Sequence, residues 1–254
     1  MRAPLMKRFL YAWLLCLCSS LSAKPVVIET AVWPGFTNAD GSGAYFDLIR
    51  QVLPPADYPL DIRINHLGRA WLTVQRGQAD LGLGLTQYDI QAFQLERSAL
   101  PYDEDVIVAL YLPSRVPAAA LNPTGLATLQ LGWEKSYNYG VALHIDAVGY
   151  EVSSPAHAVE LLLAQRIDVY LAELEDLAGV QKKLKSAGIQ QQWLANVPVY
   201  VGFSPTPQGR QLKQLWDQRV KLQWENGDMQ RFYQRFPQLK APQIGKDLSA
   251  HSKP

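Results

Sequence analysis

The same pattern of residues occurs twice in this chain and limits what the chain can fold into. Gly77-Gln78-Ala79-Asp80 precedes one apolar run, and Arg166-Ile167-Asp168 precedes another, Val169 to Ala172. A turn residue and an aspartate that lead into a short apolar run are typical of a helix-to-strand crossover into a parallel sheet. The repetition therefore predicts two similar α/β units. Glu173 follows the second run, at the strand end where open α/β sheets bind ligands, and is a candidate for ligand contact.

The first 23 residues have the pattern of an export signal. Basic residues precede an apolar run from Phe9 to Cys18, and small residues follow it up to Ala23. This run is shorter than the roughly 20 residues that span a bilayer. We therefore predict a cleaved signal at 1–23 and an exported protein.

Charge and cysteine content argue against several classes of function. Both cysteines, Cys16 and Cys18, lie in the predicted signal, so the mature chain has no thiol for a disulfide, a nucleophile or a zinc site. Three of the 24 basic residues also lie there, which leaves 21 against 23 acidic residues, a net charge of −2. This balance argues against nucleic acid or an anionic membrane as a partner.

Motifs for cofactors and metals do not occur in the sequence. Gly82-Leu83-Gly84 lacks the third glycine of a dinucleotide fingerprint, the four histidines show no ligand spacing, and there is no Gly-x-Ser-x-Gly elbow. Three of the chain's acids lie together at a predicted helix start, where a solvated acidic face is the simpler interpretation than an acid/base pair: Glu173, Glu175 and Asp176. We therefore predict no catalytic residue, no metal and no cofactor.

Strands and helices are predicted to alternate from Val26 onward, which indicates mostly parallel sheets with helices on both faces. Ser154-Pro155 and Thr206-Pro207 mark helix starts, because proline suits the first helical turn. Pro113 to Thr124, with three prolines, has the composition of a crossing between two units. Asp80 and Asp168 are predicted to be structural.

Five segments together resemble the bacterial periplasmic solute-binding proteins of family 3, the polar amino-acid type. They follow the family's order over nearly the whole mature chain: Trp33 to Phe36 with Asp40-Gly41, Gly77 to Asp80, Ser98 to Tyr102, Arg166 to Glu173, and Tyr200 to Ser204. The resemblance implies a type II periplasmic-binding-protein fold, in which two hinged α/β lobes with mostly parallel central sheets close on a ligand.

The resemblance also implies a discontinuous first lobe. We expect lobe 1 at 24–112 and 197–239 and lobe 2 at 113–196, with crossings near Leu112–Val116 and Ala195–Val197. The tail at 240–254 has little to bury and is expected to be mobile.

Residues of the binding site are likewise implied by the resemblance. Glu173 takes the place of the acid that pairs with the ligand's α-ammonium, and Trp33 and Phe36 match the aromatic loop that covers the ligand. The remaining matches are the loop contacts of lobe 1 and a turn of lobe 2 whose backbone N–H groups face a carboxylate: Gly84, Leu85 and Thr86, then Ser136 and Tyr137.

The arginine that grips the α-carboxylate in this family is missing. No residue from Thr86 to Glu96 is arginine, and Gln91 or Ala92 takes its place. Arg69 and Arg97 are the candidate replacements, and spacing does not decide between them. Arg69 also begins a predicted helix, where a cation is disfavoured, which hints at a role in the cleft.

The predicted function is a monomeric periplasmic receptor for a small polar ligand, amine-bearing or amino-acid-like, that serves an ABC permease or a membrane sensor. Two alternatives remain open. One is an enzyme like the cyclohexadienyl dehydratases, with Glu173 as general acid. The other is a signalling or adaptor module that has lost its ligand.

Overall fold

A computed structural model of the chain describes residues 24–135, 137 and 139–242. The predicted signal at 1–23, residues 243–254 of the predicted tail, and Ser136 lie outside the described residues. Within the described ranges, no helix combines the length and the apolarity that crossing a membrane requires.

Strands and helices alternate along most of the described chain. The strands are β1 (Val26–Thr30), β2 (Leu60–Ile64), β3 (Leu81–Thr86), β4 (Glu96–Arg97), β5 (Asp103–Tyr111), β6 (Leu131–Glu134), β7 (Tyr150–Val152), β8 (Val169–Glu173) and β9 (Gln190–Phe203). The helices are α1 (Ala44–Val52), α2 (Leu67–Gln75), α3 (Gln87–Ala92), α4 (Pro123–Leu126), α5 (Tyr139–Ala142), α6 (Pro155–Leu163), α7 (Gln181–Ser186), α8 (Pro207–Glu225) and α9 (Asp228–Arg235), with 3-10 helices at Ala118–Ala120 and Glu175–Val180.

Helices α6 and α8 begin where the serine-proline and threonine-proline pairs predict. The hydroxyl of Ser154 accepts a hydrogen bond from the backbone N–H of His157 at 3.2 Å, and that of Thr206 accepts one from Gly209 at 3.1 Å. Each hydroxyl thus satisfies one N–H of a first turn, and the proline that follows has no N–H to satisfy.

The strands form one sheet in the order β2-β1-β3-β9-β5-β8-β6-β7, and β4 pairs with β9. The α/β fold is confirmed. Pairing is parallel at the two ends, β2-β1-β3 and β8-β6-β7, whereas β9 and β5 run antiparallel to their neighbours. The two parallel sheets expected from the sequence are joined into one, because β5 and β9 are long enough to link them.

The hydrophobic core divides although the sheet does not. Two clusters, which we call the first core, come from residues 26–102 and 199–239. Two others, the second core, come from residues 106–197. A continuous sheet by itself favours one unit, whereas two lobes each require a core of their own. The lobe boundaries at 112, 113, 196 and 197 stay predictions.

The chain reaches the second core within β5. Ile107 and Tyr111 pack there, before the expected crossing at Leu112–Val116. Val116 and Leu121 of the proline-rich segment are buried in the second core, to which the expected boundary at 113 also assigns them. The prolines of this segment indicate where the chain turns, and they do not show where it passes between units.

Asp80 and Asp168 have equivalent positions. The Asp80 carboxylate accepts a hydrogen bond from the Val27 N–H at 2.9 Å, and the Asp168 carboxylate accepts one from the Gln130 N–H at 3.0 Å. In return, the backbone N–H of Asp80 donates to the Val27 carbonyl at 2.9 Å, and that of Asp168 donates to the Gln130 carbonyl at 2.7 Å. Each aspartate thereby ties the start of its strand to a parallel neighbour, which fixes where the carboxyl ends of β3 and β8 emerge.

Candidate ligand-binding site

A cavity of about 500 Å³ opens between elements of the first core and elements of the second core. It lies at the carboxyl ends of β3 and β8, the edge at which open α/β sheets bind ligands. Of the predicted site residues within the described ranges, six line this cavity: Trp33, Phe36, Gly84, Thr86, Tyr137 and Glu173.

The wall from the first core is aromatic. Trp33 lies over Gly84, which has φ +73°, and a Cβ at position 84 would come within 2.4 Å of the indole ring. Only glycine therefore allows both this backbone conformation and the position of the ring. The Trp33 loop is held by its own Thr37, whose hydroxyl accepts the Trp33 N–H at 3.0 Å, and Phe36 packs 5.1 Å from Tyr45 between ring centres.

Thr86 begins α3 and its hydroxyl is already engaged. The hydroxyl accepts the Asp89 N–H at 3.3 Å and donates to the Asp89 carboxylate at 2.6 Å, while that carboxylate also accepts the Thr86 N–H at 2.8 Å. This capping box satisfies two N–H groups of the helix start. Ala92, at the end of α3, lines the cavity where the family's arginine is expected, whereas Gln91 does not.

Neither candidate arginine lines the cavity. Arg69 is exposed on α2. Its charge acts on Glu29, whose pKa is raised by burial, and the charges of Arg63 and Arg69 oppose that rise. Arg97 lies 4.5 Å from the centre of the Tyr200 ring and donates to the Gln87 side chain at 2.6 Å. Trp71 of α2 lines the cavity and Arg69 does not, so a role of Arg69 in ligand binding stays a prediction.

The wall from the second core is acidic. In the ladder of β5 and β8, Ile107 pairs with Glu173, so Asp105 lies diagonally next to Glu173 on the same face of the sheet. The two carboxyl groups lie close enough for the charge of Asp105 to raise the pKa of Glu173. Burial, and then the neighbouring carboxylates, raise the pKa of both well above the usual range. Because two adjacent carboxylates repel each other, the pair favours a state in which one of the two groups keeps its proton.

Two further aspartates of the cavity differ in how they are satisfied. Burial raises the pKa of Asp103 to about 6, but its carboxylate accepts hydrogen bonds from the Tyr45 hydroxyl at 2.9 Å and from the backbone of Glu104 and Lys240. Burial and then Glu175 raise the pKa of Asp176 to about 6. Asp176 has no hydrogen bond or ion pair to any described residue.

These positions bear on two predictions. Of the three acids predicted to form a solvated face, only Glu175 is exposed, and all three line the cavity. At the start of the predicted tail, the backbone N–H of Lys240 donates to Asp103 at 2.7 Å, and the mobility of 240–254 stays a prediction.

Two contacts cross the mouth of the cavity. The Trp33 indole N–H donates to the Tyr137 hydroxyl at 3.3 Å, and Tyr137 stacks on Tyr139 with 5.4 Å between ring centres. On another side, the Tyr88 hydroxyl is 3.0 Å from the His144 Nε2. Both contacts join a residue that follows a strand of the first core to a residue of the second core.

Sequence reasoning missed Asp105, and the sequence contains a signal for it. Asp103, Glu104 and Asp105 open β5, although aspartate and glutamate are depleted in strands. Three acids at the start of an otherwise apolar strand indicate a use other than packing. Which neighbour they meet depends on the register of β5 with β8, which local spacing does not show.

Solved structures with similar folds cover most of this chain. ArtJ from Geobacillus stearothermophilus, an arginine-, lysine- and histidine-binding protein, is 18% identical with a TM-score of 0.65, over 88% of this chain and 99% of that one. A histidine kinase sensor domain with similarity to periplasmic binding proteins is 13% identical with a TM-score of 0.64, over 87% and 99%. The chain has the periplasmic-binding-protein fold. No protein-family model matches it, and no curated protein matches it in sequence.

A third similar structure bears on the enzyme alternative. It is an ancestral amino-acid-binding protein, AncCDT-1, described as a precursor of cyclohexadienyl dehydratase. It is 13% identical to this chain with a TM-score of 0.58, over 83% of this chain and 94% of that one. At such identities the likeness shows a shared fold, and the chemistry of the site is argued from the residues of the cavity.

Proposed function

We propose that the chain is a periplasmic solute-binding protein of family 3 that lacks the carboxylate-binding arginine and captures a small organic cation. The observation that carries this proposal is the charge of the cavity. Its described lining residues include seven carboxyl groups and no lysine, arginine or histidine. Such a site attracts cations and repels anions.

The aromatic wall supports the same class of ligand. Trp33, Phe36 and Tyr137 line the cavity opposite or beside the acids. A cation against an aromatic face gains about 0.5–2 kcal/mol, more where water is excluded. An amine therefore finds both a charge partner and π-faces, whereas a free carboxylate finds Ala92 in place of the family's arginine.

Capture by closure of two lobes follows from the division of the core. We propose that the lobes meet where β5 and β9 pass between the cores, near residues 103–106 and 197–199. In a hinge motion of this kind, a small number of residues absorb the change in backbone angles. The contacts of Trp33 with Tyr137 and of Tyr88 with His144 would then close the cleft. We further propose delivery by an exported monomer to an ABC permease or a membrane sensor.

A thermal-shift screen at pH 7 tests this function. Small amines, neutral amino acids and dicarboxylates are compared, since a ligand that binds only the folded state raises Tm. We expect amines to raise Tm, a smaller rise in Glu173→Gln, and an unchanged rise in Glu151→Gln, a matched change at an exposed position of β7. A rise with glutamate or aspartate that is indifferent to Glu173→Gln would show that another residue binds the carboxylate and would contradict the proposal.

The adjacent pair Asp105 and Glu173 also favours a second candidate, an enzyme that uses Glu173 as a general acid, because burial raises the pKa of this group. The substrates implied by the resemblance to cyclohexadienyl dehydratases carry carboxylates. No described lining residue offers such a group a cation. Incubation of the protein with such a substrate, followed by detection of the dehydrated product, separates the enzyme from the binding protein.

A further inference from the structure

Not every carboxyl group of the cavity is available to a ligand. Asp89 is held in the capping box with Thr86, and Asp103 accepts three hydrogen bonds from the protein. Glu104 accepts a hydrogen bond from the side-chain amide of Asn196 at 3.0 Å. Each of these three groups has a donor of the fold on at least one oxygen, which leaves it less available to a ligand.

Of the other four, Glu175 is exposed and water screens its charge, so three carboxyl groups define the charge that the ligand meets. Asp105 and Glu173 lie diagonally next to each other, and because adjacent carboxylates repel each other, the pair carries one negative charge at low cost and not two. Asp176 is ionised at neutral pH, since its pKa is about 6, and it has no charge partner among the described residues. The wall of the second core thus presents two negative charges next to aromatic and aliphatic side chains such as Tyr139 and Ile107.

Uncompensated charges in such surroundings are costly, and a partner that enters from solvent relieves that cost. A ligand with one positive charge compensates one of the two. A ligand with two compensates both. A ligand that also carries a carboxylate brings a new negative charge into a cavity whose described lining residues offer no cation to pair with it.

We propose that the ligand is a small organic dication without a carboxylate group. One cationic group lies against Asp105 and Glu173, and the second lies against Asp176. Because Asp176 is only three positions after Glu173 in the turn that follows β8, a short aliphatic spacer between the cationic groups suffices. A cavity of about 500 Å³ accommodates a ligand of this size. This inference rests on the proposed function, that the cavity is a cleft for cations.

Calorimetric titration with three probes at pH 7 tests the ligand class. 1,4-Diaminobutane is the dication, butylamine has one charge fewer, and ornithine is the same diamine with an added carboxylate. We expect 1,4-diaminobutane to bind on the order of tenfold or more tighter than either of the others, because only it pairs both charges without adding a third. This comparison uses the unmodified protein and depends on no variant.

The role of Asp176 is tested by the ratio of two affinities. In Asp176→Asn, the preference for 1,4-diaminobutane over butylamine should fall to about one, while butylamine binding is retained. Asp146→Asn, a matched change at an exposed position away from the cavity, should keep the full preference. The ratio is insensitive to a general loss of folded protein, which lowers both affinities together.

The outcomes separate this inference from the proposed function. Equal binding of butylamine and 1,4-diaminobutane would overturn the dication and leave a cleft for single cations. Tighter binding of ornithine than of the diamine would overturn the exclusion of a carboxylate. Binding of none of the three would overturn both the inference and the proposed function.

Discussion

The two halves of the chain share a device at the starts of β3 and β8 and differ at the ends of these strands. Asp80 and Asp168 each bind the backbone of a parallel neighbour with the same pair of hydrogen bonds. At the other end, β3 leads to Gly84 and Thr86, which are neutral, whereas β8 ends at the acid Glu173. The scaffold is therefore repeated, and the chemistry of the cavity is not.

This difference assigns separate tasks to the two walls. The wall of the first core gives the cavity its aromatic surface, with Trp33 packed over Gly84. The wall of the second core gives it charge. Substitutions in the acidic wall should therefore change affinity, and substitutions in the scaffold should change stability.

The largest effect is expected for Glu173→Gln. Loss of this charge should weaken binding of a cation by about 2–5 kcal/mol, the range for one partner of a desolvated charge pair. Trp33→Leu, in the other wall, removes one π-face and should cost only about 0.5–2 kcal/mol. Calorimetry with 1,4-diaminobutane measures both. A larger loss for Trp33→Leu than for Glu173→Gln would reverse the assignment of the walls.

Next in size is the loss of stability in Asp80→Ala. The Val27 N–H is buried and would lose its partner, which costs about 1–3 kcal/mol. Asp168→Ala should cost less, because Gln130 is exposed and water can replace the carboxylate. Urea unfolding of both variants gives the two free energies. Equal losses would mean that the two aspartates are equivalent in energy as well as in geometry.

Gly84→Ala should destabilise the protein by about 1–2 kcal/mol through its left-handed backbone alone, and should also displace the Trp33 ring. Gly179→Ala is the matched control, since Gly179 lines the same cavity and has open space where a Cβ would lie. Thermal unfolding and tryptophan fluorescence report the two effects. If Gly84→Ala changed neither the thermal unfolding nor the fluorescence, the Trp33 ring would not lie over Gly84 in solution.

A further effect is a pH dependence of stability that comes from Asp176. Its pKa rises from 3.8 in the unfolded chain to about 6 in the fold, so between these values the folded state binds more protons. The free energy of unfolding should therefore fall as pH rises from about 4 to about 6. Asp176→Asn removes this contribution and should gain stability relative to the unmodified protein over that window, measured by urea unfolding at several pH values. No change in the difference between the two proteins from pH 4 to 7 would contradict the raised pKa.

Local patterns were sufficient for the repeated scaffold, whereas several of the predicted cavity residues came from the family resemblance, and their role in binding stays a prediction. Asp80, Asp168 and the helix starts at Ser154 and Thr206 depend on neighbours within a few residues or on a recurrent crossover, and the structure places them as predicted. Trp33, Gly84 and Glu173 lie at strand ends, which any α/β arrangement brings to one edge.

The remaining features depend on contacts between distant parts of the chain. Asp105 reaches Glu173 only through the register of β5 with β8, and Asp103 fixes Lys240 across more than half of the chain. The first crossing, expected at Leu112–Val116, depends on such contacts too. Prolines show where the chain turns, but burial of Val116 and Leu121 decides the core to which the segment belongs.

Hydrogen exchange measured by mass spectrometry, with and without saturating 1,4-diaminobutane, tests most directly whether the cavity is a ligand-binding cleft between two cores. The account predicts slower exchange in two segments at once, Trp33–Phe36 of the first core's wall and Glu175–Val180 after β8, while the far face of α8 stays unchanged. Slower exchange in only one of these segments, or in neither, would contradict it.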